Sequence, residues 1–133
     1  METPKSEICF YQNLGKLFYA IAFSDKVVHK KEYETLKKLV ETEWKGLDGY
    51  VDAFHTDAAY QIEIVIDWLK DVHLDCKICF DDFKYFKKQH ESLFTKKRKQ
   101  LIWNTSNLIA NSFAGRNKSE TIILAKLKMV LEK

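Results

Sequence analysis

The stretch LFYAIAFSDKVVHKKEYETLKKLV, residues 17–40, decides how the chain is read. It opens on an apolar segment rich in Ala and aromatic residues and passes through a short polar loop, SDKVVH, at 24–29. It then resumes with Tyr33, Leu36, Leu39 and Val40 at three- and four-residue spacing. That spacing puts the apolar side chains on one face of an α-helix. His29 followed by Glu32 has the spacing of a helix-capping box, with His as a weak cap.

Upstream, Ile8, Tyr11, Leu14, Leu17, Phe18 and Ile21 form a second apolar stripe, so a first helix is expected from Ser6 to about Phe23. The second helix is expected from Lys30 to Trp44, where Gly46, Asp48 and Gly49 break the pattern. Thr56 can cap a third helix carrying Ala59, Ile62, Val65, Ile66 and Leu69. The run Ile62-Glu63-Ile64-Val65-Ile66 is β-branched and could pass for a strand, but its polar flanks and the lack of a partner run favour a helix. A fourth helix is expected over Cys76 to Leu93, with Cys79, Phe80, Phe83, Phe86 and His90 on one side. Thr95 can cap a fifth, carrying Leu101, Ile102, Thr105, Leu108, Ile109 and Phe113. The last opens at Asn117 to Glu120 and carries Ile123, Leu124, Leu127, Val130 and Leu131.

Residues 107–131, NLIANSFAGRNKSETIILAKLKMVL, repeat the logic of residues 17–40. Asn117 and Glu120 form a capping box, and Leu124 and Leu127 follow Glu120 at the intervals by which Leu36 and Leu39 follow Glu32. Two such helix-loop-helix units can pack about a pseudo-two-fold axis; the competing reading is that amphipathic hairpins resemble one another by construction. The expected fold is an all-α compact bundle of about six to seven helices with two pseudo-symmetric helical hairpins. Residues 1–133 suit a single domain.

Composition agrees with this. With four Gly and one Pro, the chain lacks the turn residues that an all-β fold needs every 8–12 residues or so. Its apolar fraction of 46% supplies one core without help from a metal or disulfide. No apolar run approaches the roughly 20 residues of a membrane span. The first residues, METPKSEI, lack the basic and apolar parts of a signal peptide. Three cysteines make a poor disulfide framework. A cytoplasmic location is therefore expected.

Charge is uneven. Residues 1–83 hold 10 Lys against 16 Asp and Glu, while residues 84–133 hold 12 Lys and Arg against 3 Glu. One reading is that the two parts attract each other within the fold. The other is a basic face for an acidic partner.

The stretch AFSDKVVHKKEYETLKKLV resembles the signature of TerB-like domains, the helical family named for tellurite resistance. Its usual form is Ala-Asp-Gly, a few residues, then Glu and a leucine-bearing helix, near both ends of the domain. Asp25 and Glu32 match in the first copy, with Lys26 in place of Gly; Gly115 and Glu120 match in the second, with Ala114 in place of Asp. The resemblance covers the two end segments, while residues 45–100 share only helical content and length. It implies a helical fold, a role in stress responses through partner proteins, and a surface site formed by the acidic loop residues. A related module occurs in a membrane-tethered DnaJ-like co-chaperone. The family's site has been thought to take metal, but a hard cation wants several oxygen ligands, and the second Asp is missing here. Glu32 and Glu120 also have an ordinary reading as acids at helix N-termini. No metal or cofactor is assigned.

Two other constellations remain. His73, Cys76, Cys79 and His90 are of zinc-ligand type, yet Cys-x-x-Cys at helical spacing also describes two small core residues. Lys84, Lys87, Lys88 and Lys96 to Lys99 form a basic tract interleaved with Tyr85, Phe86 and Phe94, which could bind phosphates and stack bases. The favoured reading is a solvated helix face with its aromatics in the core, because the phenylalanines fall on the apolar stripe. No catalytic triad pattern or phosphate-cradling glycine loop is present, so a non-enzyme is expected. The expected function is an interaction module, with Asp25, His29, Glu32, Arg116 and Glu120 gathered at the two loops 24–32 and 113–120. The expected partner is another protein or a second copy of the chain. A nucleic-acid or phosphate binder is the alternative. Trp44 or Trp68, if exposed, would mark an interface.

Overall fold

In the computed structural model, residues 5–24, 30–44, 58–112 and 118–132 are described, the side chains of residues 58 and 118–120 excepted. They form six α-helices and no strand: α1 (Lys5–Ala22), α2 (Lys30–Trp44), α3 (Ala58–Val72), α4 (Cys76–Gln89), α5 (Lys96–Ser112) and α6 (Lys118–Glu132), with a 3₁₀ turn at Glu91–Leu93. The chain is an all-α bundle, as its periodicity predicts. The β-branched run at 62–66 lies inside α3.

α1 is the axis of the bundle. It packs against α3, α4, α5 and α6, while α2 bridges α3 and α5. Its sequence explains that position, because Phe10, Tyr11, Leu14, Leu17, Phe18, Tyr19 and Ile21 cover more than one face. A helix apolar nearly all round must be surrounded. The outer helices are amphipathic: α2 buries Tyr33, Leu36, Val40 and Trp44, and α3 buries Ala59, Ile62, Ile66 and Leu69. Contacts of α1 with α5 and α6, and of α2 with α5, bring the two end pairs of helices together.

Aromatic rings hold the centre. Phe10 meets Phe94 edge-on with centroids 5.1 Å apart, and Phe94 in turn contacts Phe83 and Phe86. Trp44 is fully buried and donates from Nε1 to Thr105 Oγ1 at 3.1 Å. Phe86 and Phe94, two aromatics of the basic tract, are thus core residues.

Local signals place the helix ends. Asp75 caps α4, its side chain accepting from the Lys77 N–H at 2.7 Å. Thr95 caps α5 as expected, Oγ1 accepting from the Arg98 N–H at 3.2 Å. α4 ends at Gln89 rather than running to Leu93, because His90 leaves the helical region at φ −134° and its N–H closes the last turn onto Phe86. His73, just past α3, sits at φ 54°, the left-handed region that usually falls to Gly after a helix.

A buried ion pair ties α5 to α1. Arg98 donates from one guanidinium nitrogen to Glu7 Oε2 at 2.6 Å and from another to the Leu93 carbonyl at 3.0 Å. Its guanidinium also stacks over Phe10 at 4.5 Å. Glu7–Arg98 joins the acidic and basic parts of the sequence, whereas Lys16–Asp82, Lys37–Asp67 and Lys87–Glu91 each stay within one part. Among the described residues no helix is long and apolar enough to cross a membrane.

Candidate functional site

A groove of about 660 Å³ lies between α4 and α6. α4 turns one strip toward it: Lys77, Phe80, Lys84, Lys87 and Lys88 recur at three-, four- and seven-residue intervals. These lie on one helical face because 3.6 residues complete a turn. The other wall is the side of α6 bearing Ile122, Ile123, Lys126, Met129 and Val130. Phe80 and Val130 are buried at the floor, while Ile122 and Met129 remain 46% and 63% exposed along the wall.

Five lysines, Lys77, Lys84, Lys87, Lys88 and Lys126, thus border an apolar trough in which the carboxylates are Asp81 and Glu91. Lys87 differs from the rest. Its side chain is 3% exposed, and Nζ lies 3.0 Å from Glu91 Oε1, one helical turn further on. Glu91 itself is 54% exposed, so a carboxylate at the solvent edge holds an ammonium buried in the wall. Burying a lysine is costly unless its charge is paired, and Glu91 supplies that pairing.

Most of the loop cluster expected from sequence lies outside the described residues. Asp25, His29 and Arg116 lie outside the described residues, as does the side chain of Glu120, whose backbone is in the first turn of α6. Glu32 is in the first turn of α2, partly buried and engaged in a polar contact. Ser24, the last described residue before α2, lines the groove.

Cys79 is fully buried in the core, Cys76 partly buried, and His73 exposed. His90 stacks on Phe86 at 4.4 Å. Among the described residues no three His, Cys, Asp or Glu side chains gather as metal ligands. Burial pushes the Cys79 thiol up to about 12, with the nearby Cys76 adding to it, so Cys79 is not a ready thiolate.

In the basic tract, Lys96 and Lys97 are exposed and Lys99 partly so, but Arg98 turns inward to Glu7. Tyr85 is the aromatic of that tract left at the surface. The groove was legible only in part: Lys84, Lys87 and Lys88 stood out by charge, while Ile122 and Met129 fell off the buried stripe of α6. Apolar residues in excess of the stripe are the signal for a second face.

A second surface lies on α3. Tyr60, Ile64, Trp68 and Val72 recur every four residues, each about half exposed. They make a single ridge along the outside of the helix. Trp44 is buried and Trp68 is 56% exposed.

Comparison with family models, curated proteins and solved structures finds no match.

Proposed function

We propose that the chain is a non-enzymatic binding module of TerB-like type, acting in the cytoplasm, and that its ligand seat is the groove between α4 and α6. The observation that carries this is an apolar trough of about 660 Å³ bordered by five lysines. The volume falls within the roughly 300–1,000 Å³ of small-molecule sites. Apolar walls supply affinity and the lysine rim selects for negative charge. The nucleic-acid alternative is weakened because Arg98, Phe86 and Phe94 are committed to the interior.

Anilinonaphthalene sulfonate, an apolar dye with one negative charge, tests the seat. One saturable site is expected, weakened at least tenfold in Met129→Glu and Ile122→Glu, with helical content and melting temperature unchanged. Equal affinity in the variants overturns the reading.

The α3 ridge supports a second reading, self-association. Two aromatics of about 150–250 Å² each, half exposed, offer about 150–250 Å² together, and Ile64 and Val72 extend the ridge. The ridge is then the apolar centre of an interface whose polar rim supplies the rest of the roughly 1,000 Å² that a specific contact needs. A ridge of i, i+4 residues also interlocks with its own copy. Sedimentation equilibrium should give a dimer that Trp68→Glu converts to monomer. A wild-type chain that stays monomeric at high concentration removes this reading.

A further inference from the structure

We infer that the groove between α4 and α6 holds a single-chain, long-chain carboxylate, with its acyl chain along the trough and its head group at Lys87. The inference rests on the groove being the ligand seat.

Size argues for one chain rather than a partner helix. A three-turn helix is a cylinder about 10 Å across and about 16 Å long, so it fills roughly 1,200 Å³. The groove offers about 660 Å³, about half of that, and lies within the roughly 300–1,000 Å³ of small-molecule sites. A flexible acyl chain can follow the trough past Phe80, Ile123, Met129 and Val130, all of which line it.

Charge fixes the other end. A purely apolar ligand would not need a buried ammonium in the wall. Lys87 places one there, and its partner shows what it accepts: the Glu91 carboxylate reaches Nζ at 3.0 Å from the solvent side. Glu91 thus occupies the place of a ligand carboxylate, and an incoming head group competes with it or shares the ammonium. Lys84 and Lys88, exposed on the same strip, and Lys126 on the α6 wall add positive charge that attracts an anion to the groove.

The test uses the full chain and a dansyl-labelled undecanoic acid, displaced by unlabelled competitors. Dodecanoate should displace it one-to-one, and at least tenfold better than dodecanol of equal length. Affinity should rise by up to about fourfold per added methylene until the trough is filled. Lys87→Met should erase the preference for the acid over the alcohol. Should Lys87→Met fail to fold, Lys126→Met, on the opposite wall, should reduce that preference several-fold. Glu91→Gln, which removes the carboxylate paired with Lys87 at 3.0 Å, should tighten dodecanoate several-fold.

Several results overturn the inference. Dodecanol binding as well as dodecanoate does so, as does weaker binding in Glu91→Gln. So does an acidic amphipathic peptide displacing the probe more tightly than dodecanoate, or association seen only with anionic vesicles. If the sulfonate dye still binds and is lost in Met129→Glu while dodecanoate does not bind, the seat stands and the ligand class falls. If neither binds, both fall.

Discussion

At the scale of single residues, the fold depends on a few polar atoms kept inside. Glu7 and Arg98 are each 9% exposed, so deleting one partner strands the other's charge. Arg98→Ala should therefore cost about 3–5 kcal/mol in urea unfolding, whereas Arg98→Met combined with Glu7→Leu should recover most of that loss. Three buried acids that are neutral when protonated set the alkaline limit. Burial raises Cys79 from 9.0 to about 12 and Tyr19 from 10.0 to about 12. Tyr33 is raised too, first by burial and then by donating its hydroxyl to Asp67. Each folded-state value lies above the unfolded one, so the folded chain holds these protons more tightly. That contribution is complete below the unfolded values and fades as pH climbs toward the folded ones. The urea midpoint should stay level to about pH 9 and then fall toward pH 12. Neither effect was open to sequence reading. Glu7 and Arg98 lie 91 residues apart, and nothing local in either segment announces the pairing.

At the scale of elements, periodicity was a faithful guide because each helix has to bury a stripe, and stripes are visible in one dimension. Pairings between helices are not. The α1–α3 crossing turns on Gly15, which no stripe marks. A methyl group added there would sit 2.8 Å from Val65 Cβ and 3.0 Å from the Ile62 carbonyl oxygen. On an open helix, Gly→Ala stabilises by about 1 kcal/mol. Here the neighbour is partly backbone and cannot swing aside, so Gly15→Ala should destabilise by about 1–3 kcal/mol, read as a lower melting temperature. The end of α4 is hidden by the same limitation: Leu93 continues the apolar pattern, but the chain turns at His90 and Phe94 packs against Phe10. Of the expected loop site, only Glu32 lies fully among the described residues, and the groove is built from helices that the repeat motif did not single out.

At the scale of the whole molecule, helices differ in how firmly they are held. α1 is enclosed by four others, while α6 buries Leu124, Leu127, Val130 and Leu131 and leaves Ile122 and Met129 outside. Native-state hydrogen exchange should show α6 amides opening at lower free energy than those of α1, and an occupied groove should slow α6 selectively. The enclosure of α1 also bears on how the protein comes into being. A ribosome releases α1 well before the helices that sheathe it. At about 5–20 residues per second, the interval from Glu7 to Arg98 lasts roughly 5–20 seconds. For that time a greasy rod of Phe, Tyr, Leu and Ile is in the open with its ionic clasp unmade, so the nascent chain, more than the finished one, is the form that calls for a chaperone.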